Sequence, residues 1–235
     1  MDALILAAGR GTRMGGIDRP KCLLDLGGIS ILKYQIECLK NAGINKIFIV
    51  TGYNSEQIHS HLNDDFNYLH NVEFATTNNL YSVWTARNSL DDDFFCIYGD
   101  LLFDKKILDN CIQNTNDICL VIEKNTRRET MKVKIKNDVI VELNKNIPEN
   151  DADGNFIGMA KFRRPIISLF FTKISRLVEN NNFDSYYTAA IELMIKDNKK
   201  INYVETNNLP WMDIDEQDEF QVAKKLFYKM REIHS

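Results

Sequence analysis

Short apolar runs alternate with amphipathic stretches through the first half of the chain. The apolar runs predict β-strands at residues 3–8, 46–52, 72–77 and 94–98. The segments between and after them have helical spacing and predict helices at residues 31–42, 55–62, 82–90 and 105–114. This alternation is typical of βαβ units. We therefore expect an α/β fold with a Rossmann-like, mostly parallel sheet that is flanked by helices.

The pattern changes after Asp117. Strand-like segments follow at residues 118–123, 131–136, 139–143 and 156–162. Asn137-Asp138 lies between two of them and is a turn pair suited to a β-hairpin. The remaining segments predict a strand at 200–205 and helices at 166–180, 186–197 and 216–233. We expect this small antiparallel hairpin addition to lie at one edge of the parallel sheet.

Composition and charge narrow the class of protein. The 235 residues are 44% hydrophobic and 26% charged, as in ordinary globular proteins. The 29 Lys and Arg residues against 33 Asp and Glu give a formal net charge of −4. Dedicated binders of nucleic acid or anionic membranes need a basic surface, so neither partner is expected. Since there is no internal repeat or flexible linker, residues 1–235 are expected to form a single domain.

The sequence also indicates whether the protein enters a membrane and in which redox environment it works. No apolar run approaches the ~20 residues of a membrane span, and the N-terminus lacks a basic leader. The five cysteines are odd in number and scattered, without zinc spacing, at positions Cys22, Cys38, Cys96, Cys111 and Cys119. We expect a reduced, cytoplasmic protein without membrane insertion, in which the cysteines are small buried hydrophobic residues.

A glycine-rich stretch, residues 9–16, follows the first predicted strand directly. Glycines let backbone N–H groups approach phosphate oxygens, and ligands of open α/β sheets bind at the carboxyl ends of strands. The dinucleotide fingerprint fails because Met14 stands where glycine is needed, and the P-loop fails because Ile17-Asp18 follow Gly16. Lys21 lies just downstream and can reach the same phosphates. The stretch therefore predicts phosphate binding, with a plain tight loop as the alternative.

Three carboxylates follow strand-like segments. Asp100 comes directly after the strand at 94–98, on the same side of the sheet as the glycine-rich stretch. Asp213 and Asp215 alternate, so in strand geometry they share a face. Carboxylates near a polyphosphate need a cation between them, and Mg²⁺ suits oxygen ligands. The alternatives are a turn residue at Asp100 and a helix N-cap at Asp215.

The N-terminal motif resembles a known family. The stretch from Leu4 to Leu32 contains L-I-L-A-A-G-x-G-T-R-M, then R-P-K-C-L-L-D-L-G-G and S-I-L. It is similar to the signature of nucleotidyltransferases that join a nucleoside triphosphate to a phosphorylated sugar or small alcohol. The resemblance implies catalytic roles for Arg13 and Lys21 and Mg²⁺ as cofactor, held by Asp100 and Asp215 with Asp213 as a third ligand. It also implies nucleotide binding by Leu6, Ala7, Ala8, Gly9, Gly11 and Thr12.

A second stretch points to the nucleotide. Residues 76–87 contain the Asn-Asn-x-x-Ser-x-x-x-Ala pattern, starting at Asn78. This pattern is similar to that of choline-phosphate and 2-aminoethylphosphonate cytidylyltransferases, where it borders the nucleotide. The resemblance implies nucleotide binding by Asn78, Asn79 and Ser82 and favours CTP over UTP or TTP. The alternative is that Asn79 only caps a helix.

Candidate acceptor-binding residues lie in the second half. Residues 149–162, 185–192 and 209–215 resemble the C-terminal half of the phosphonate-type cytidylyltransferases. A small cationic acceptor would be held by aromatic faces or carboxylates. The candidates are Tyr186, Tyr187 and Trp211, with Asp151 and Asp153 as amine partners and Lys145 at the acceptor phosphate. The alternatives are core positions for the aromatic residues and a surface position for Lys145.

These interpretations combine into one hypothesis. We expect a Mg²⁺-dependent cytidylyltransferase that transfers CMP from CTP to a small phosphonate or phosphate monoester and releases pyrophosphate. Residues 1–115 would form the nucleotide-binding half and residues 116–235 the acceptor-binding half. A homodimer is compatible with the sequence. The rival hypotheses are a sugar-1-phosphate nucleotidyltransferase and a non-catalytic nucleotide-binding regulator.

Overall fold

The computed structural model describes residues 1–11, 18–62, 66–126 and 130–233. Within these ranges the strands are β1 Asp2–Ala7, β2 Ile47–Thr51, β3 Asn67–His70, β4 Phe94–Tyr98, β5 Leu101–Phe103, β6 Ile118–Glu123, β7 Lys132–Lys136, β8 Val139–Asn144, β9 Gly154–Phe162, β10 Asn202–Glu205 and β11 Trp211–Asp213. The α-helices are α1 Ile31–Asn41, α2 Ser55–Leu62, α3 Asn79–Thr85, α4 Lys105–Gln113, α5 Arg164–Glu179, α6 Thr188–Lys196 and α7 Gln217–Ile233. Short 3-10 turns cover Lys21–Leu23 and Glu149–Asp151.

The main sheet has the strand order β10-β6-β9-β4-β1-β2-β3. Strand β1 pairs in parallel with β2 and β4, and β2 pairs in parallel with β3. The chain thus runs outward from β1 to β3 and then returns to the other side of β1 as β4. In open α/β sheets this reversal opens a crevice at the carboxyl ends of the two central strands. The predicted Rossmann-like α/β class is confirmed.

Strand β9 lies inside the sheet, antiparallel to both β4 and β6. We expected the antiparallel material at one edge, and that expectation is wrong for this strand. The physical reason is visible in its burial: β9 is buried along its whole length, as a strand with neighbours on both sides and helices on both faces must be. The predicted hairpin is present as β7 and β8, and its turn residues Asn137 and Asp138 have φ of 52° and 59°.

Alternate residues of the central strands supply two apolar layers. Leu4 of β1 and Cys96 of β4 face one side, where α3, α5 and α6 pack. Ile5 and Ile97 face the other side, where α1, α2 and α4 pack. A third apolar cluster joins α7 to the start of α1 and to the two-stranded sheet formed by β5 and β11. Because these layers pack on both faces of β1 and β4, they hold the carboxyl ends of the two strands in place.

Some predicted elements are displaced. The strand expected at residues 72–77 is wrong: β3 is Asn67–His70, and Val72 is 68% exposed in the turns that follow. Because β3 is a partly exposed edge strand, hydrophobicity does not mark it. The helix expected at 82–90 begins earlier, at Asn79. All five cysteines are buried, as predicted. Among the described residues, no helix combines the length and apolar character needed to cross a membrane.

Candidate active site

A cleft of about 540 Å³ opens at the carboxyl ends of β1 and β4. Predicted site residues from distant parts of the sequence line it together. They are Leu6, Ala8, Gly9, Asn78, Asn79, Ser82, Asp100, Lys145, Tyr186, Trp211, Asp213 and Asp215. The crevice expected from the strand order is therefore also the place where the sequence motifs converge.

The start of the glycine-rich stretch forms part of the cleft wall. Ala7 belongs to β1 and packs into the core beneath the cleft, so its side chain is not part of the lining. Gly11 has a φ of +61°, and a Cβ there would lie 2.8 Å from Cγ of Lys21. Glycine at this position therefore lets the Lys21 stem pass against the backbone. Thr12 and Arg13 lie outside the described residues.

Lys21 stands between two carboxylates. Its Nζ atom is 2.5 Å from Oδ1 of Asp215 and 3.8 Å from Oδ2 of Asp100. The lysine side chain is 13% exposed, and the carboxylates are 30% and 34% exposed. Burial raises the pKa of Asp100 to about 6; the charge of Lys21 opposes this shift, and Asp215 and Asp213 add to it. The Lys21 ammonium is the positive charge that the structure places between these two carboxylates.

The small sheet of β5 and β11 brings the carboxylates together. Asp213 pairs with Leu101 in the antiparallel register, and the N–H of Ile214 donates to the carbonyl of Asp100 at 3.1 Å. Asp215 follows, where its backbone N–H donates to Oε2 of Glu219 at 2.7 Å ahead of α7. The prediction that Asp100, Asp213 and Asp215 face one site agrees with this placement.

The donor set fits a divalent cation held by few protein ligands. In the described part of the chain, no three His, Cys, Asp or Glu side chains converge as a ready-made metal cluster. Two carboxylates, Asp100 and Asp215, nevertheless share one positive charge, that of Lys21. Mg²⁺ is commonly held by one or two carboxylates together with substrate phosphates and water. The arrangement thus suits Mg²⁺ with Asp100 and Asp215 better than a cluster of three aspartates.

The asparagine-rich turn forms another part of the cleft wall. Asn78 caps α3, because its Oδ1 accepts from the N–H of Asn79 at 2.7 Å. The helix-cap alternative considered for Asn79 therefore applies to its neighbour. Oδ1 of Asn79 instead accepts from the N–H of Tyr187 at 2.9 Å.

Sequence reasoning missed another part of this wall. Asn71 lines the cleft and is 1% exposed. Its Nδ2 donates to the hydroxyls of Thr77 and Ser82 at 3.3 and 3.1 Å, and its Oδ1 accepts from the N–H of Glu73. Phe74 and Thr77 line the cleft as well. The signal was the polar residue just after an edge strand, and the misplaced strand at 72–77 concealed it.

The acceptor candidates separate into two groups. Lys145 and Tyr186 meet in the cleft, with Nζ 2.8 Å from the tyrosine hydroxyl and 4.3 Å from its ring centre. The indole N–H of Trp211 donates to buried Glu123 at 3.2 Å, which holds the ring at the cleft wall. Tyr187 is fully buried among the rings of Tyr98 and neighbouring aromatic residues. The prediction that it contacts the acceptor is therefore wrong, and the core alternative holds.

The structure does not bring the predicted amine partners Asp151 and Asp153 into the cleft lining. Oδ2 of Asp153 accepts from the N–H of Ile135, and Asp151 lies 3.9 Å from Nζ of Lys134. Both belong to the hairpin region and not to the cleft lining. The carboxylates of Glu216 and Glu219 line the cleft in addition to the three aspartates. Their position at the start of α7 was not predicted.

The fold and this site define a nucleotidyltransferase domain. Residues 3–158 match the model of the MobA-like NTP transferase domain, and the chain belongs to this family. It is 27% identical to the CTP:phosphoglutamine cytidylyltransferase of Campylobacter jejuni, over 94% of this chain and 98% of that protein. It is 28% identical to the choline-phosphate cytidylyltransferase of Streptococcus pneumoniae, over 96% of each.

A solved structure of a UDP-glucose pyrophosphorylase in complex with UDP-glucose has the same fold. The TM-score is 0.77 at 20% identity, over 97% of this chain and 98% of that chain. Enzymes named for different nucleotides thus share this architecture. The fold alone therefore does not determine the choice of nucleotide.

Proposed function

We propose that this protein is a Mg²⁺-dependent cytidylyltransferase. It transfers CMP from CTP to a phosphate or phosphonate oxygen of a small acceptor and releases pyrophosphate. The observation that carries the proposal is the position of Lys21 between Asp100 and Asp215, in a cleft that begins at the glycine-rich stretch. The similarity to two cytidylyltransferases over nearly their whole length supports CTP as the donor.

The chemistry needs no general base. A phosphate or phosphonate oxygen is already anionic at neutral pH, so it can attack the α-phosphorus directly. The bond between that phosphorus and the bridging oxygen of pyrophosphate breaks as the new P–O bond forms. The protein must hold two polyanions in line and offset their charge. Lys21, beside the lining carboxylates Asp100 and Asp215, supplies a fixed positive charge for the α-phosphate, and Lys145 in the cleft lining supplies one for the acceptor.

Asp100 and Asp215 would hold the Mg²⁺ ion. When bound, Mg²⁺ neutralises charge on the triphosphate and favours departure of pyrophosphate. Tyr186 positions the ammonium of Lys145 through the 2.8 Å hydrogen bond. Trp211, fixed by Glu123, presents an apolar and aromatic surface to the acceptor.

Measuring pyrophosphate release tests the proposal. The protein is incubated with Mg²⁺, each of the four nucleoside triphosphates and a panel of phosphocholine, phosphoglutamine, 2-aminoethylphosphonate and glucose 1-phosphate. We expect release with CTP and at least one of the first three acceptors, and none in excess EDTA. Release only with UTP or TTP and the sugar phosphate would support the sugar-nucleotide hypothesis. Tight nucleotide binding without any turnover would support the regulator.

A further inference from the structure

The side chain of Asn79 is bonded to a segment that lies 108 positions away in the chain. Its Oδ1 accepts from the backbone N–H of Tyr187 at 2.9 Å. Asn79 is the first residue of α3, and it also lines the cleft. A carbonyl oxygen already engaged by a backbone donor is a poorer reader of a nucleotide base. The bond instead connects the start of α3 to the segment that contains Tyr187.

Two backbone hydrogen bonds reinforce this connection. The N–H of Asn78 donates to the carbonyl of Phe183 at 2.8 Å, and the N–H of Leu80 donates to the carbonyl of Ser185 at 3.2 Å. The three bonds together fasten residues 183–187 to the first turn of α3. The N–H groups at the start of a helix have no partner within the helix, so they are available for this purpose.

Tyr186 lies between two of the fastened positions. Its backbone is fixed by Ser185 on one side and by Tyr187 on the other. Its hydroxyl accepts from Nζ of Lys145 at 2.8 Å, and the ammonium also lies over the ring. Tyr187 is anchored in the core behind it. The position of the Lys145–Tyr186 pair therefore depends on the first turn of α3.

We propose that Asn79 is a positioning residue that couples the nucleotide end of the cleft to its acceptor end. Asn79 holds residues 183–187 against the first turn of α3, and CTP that binds against this turn tightens the connection. The connection places Tyr186 and Lys145 for the acceptor. The inference rests on the proposed function, since it requires that the nucleotide and the acceptor share this cleft.

Three variants separate this role from base recognition. Asn79→Ala removes the accepting oxygen. Asn79→Asp keeps an oxygen for the N–H of Tyr187 but removes the amide donor, which hydrogen-bonds the hydroxyl of Tyr98 and which a base contact would use. Asn88→Ala removes an exposed amide beyond the end of α3 and serves as the matched control. Thermal unfolding is measured for each, and Asn79→Asp keeps the test open if Asn79→Ala does not fold.

Hydrogen exchange measured by mass spectrometry reads the coupling without any acceptor. In nucleotide-free Asn79→Ala, the peptide that contains Tyr187 should exchange on the order of five- to tenfold faster than in wild type, the effect of one lost hydrogen bond. Asn79→Asp should restore the slow rate, and Asn88→Ala should not change it. In wild type, CTP should slow exchange across residues 183–187, and in Asn79→Ala it should bind without doing so.

Kinetics provides the second readout. With the acceptor that wild type turns over, Asn79→Ala should raise KM for the acceptor by about tenfold while the Kd for CTP changes less than threefold. A weakened CTP Kd with unchanged exchange and unchanged acceptor KM would overturn the coupling and assign Asn79 to the base. If wild type neither binds CTP nor releases pyrophosphate, the proposed function fails first and the inference with it. If wild type binds CTP but uses no acceptor of the panel, the exchange experiment decides.

Discussion

The Nζ atom of Lys21 lies 2.5 Å from Oδ1 of Asp215, although the two residues are 194 positions apart in the chain. One belongs to the segment after the glycine-rich stretch, and the other leads into the last helix. The contact joins an N-terminal and a C-terminal part of the sequence at the cleft. It also defines the place where positive charge is held among carboxylates.

Replacement of Lys21 by Ala should lower the rate strongly with little effect on folding. In the proposed mechanism the lysine supplies a positioned charge to the transition state, and loss of one such group typically costs ~10²–10³ in rate. Steady-state pyrophosphate release at saturating substrates measures the effect. Lys105→Ala is the control, because Lys105 forms an ion pair with Asp109 within one helix, away from the cleft. Near wild-type turnover in Lys21→Ala would show that the lysine is not catalytic.

Asp100→Asn and Asp215→Asn should each abolish pyrophosphate release. Asn has nearly the same size as Asp but lacks the charge that a divalent cation requires. Both side chains stand at the edge of the sheet, so thermal unfolding should change little. Asp109→Asn serves as a control for loss of a carboxylate on a helix surface. Normal activity of either variant, or of wild type in excess EDTA, would contradict the assignment of these residues to Mg²⁺.

Replacement of the two adjacent tyrosines by Phe should affect different properties: acceptor KM at Tyr186 and the free energy of unfolding at Tyr187. Tyr186→Phe removes the hydrogen bond to Lys145 and should raise KM for the acceptor several-fold. Tyr187→Phe removes a buried hydroxyl whose neighbour is the Cys96 thiol, a weak hydrogen-bonding group that leaves the hydroxyl largely unsatisfied. Its free energy of unfolding should be unchanged or about 1 kcal/mol higher, because an unsatisfied buried polar group is unfavourable. Urea denaturation and acceptor kinetics measure the pair; an acceptor defect in Tyr187→Phe would restore the original prediction.

The central strands could be predicted from sequence because they are apolar on both faces. Residues 94–98 and 118–123 have the predicted bounds in the structure. β3, β5 and β11 could not, since an edge strand of four residues and strands of three leave too short a pattern. The tertiary pairing that creates β5 and β11 is also what brings Asp213 beside Asp100.

Sequence analysis could predict the site residues that lie in recognisable motifs, and it could not predict the others. The glycine-rich stretch and Asp100 come just after buried strands, and Lys21 lies shortly downstream of the stretch, so their common edge could be predicted. Tyr187 was not, because a motif does not state which of two adjacent aromatic residues faces inward; the packing of Tyr98 and β9 decides that. Asn71 was missed because its role comes from hydrogen bonds to Thr77 and Ser82, which sequence does not show.

The cysteines should be inert in the native protein. All five are buried, and burial raises the pKa of Cys22 to about 12 and that of Cys38 to about 11. A raised pKa keeps the thiol protonated at pH 8, whereas the thiolate is the reactive species. Titration with an aromatic disulfide reagent should therefore detect none of the five native thiols and all five in denaturant. Rapid reaction of one or more native thiols would show that a buried cysteine becomes accessible.

The nucleotide preference should favour CTP over UTP. Cytosine carries an exocyclic amine, which donates where uracil has an accepting oxygen. The cleft lining includes Thr77 and Ser82, whose hydroxyl oxygens accept from Asn71 and keep a second lone pair that can accept from a base. A site that accepts from cytosine leaves a polar group unpaired when UTP binds, at a cost of ~1–3 kcal/mol. The affinity for CTP should then exceed that for UTP by roughly tenfold to a hundredfold.

Titration calorimetry with both nucleotides, in Mg²⁺ and without acceptor, measures the ratio of the two affinities. Equal affinities, or tighter binding of UTP or TTP, would exclude the cytidylyltransferase and favour the enzyme for sugar phosphates.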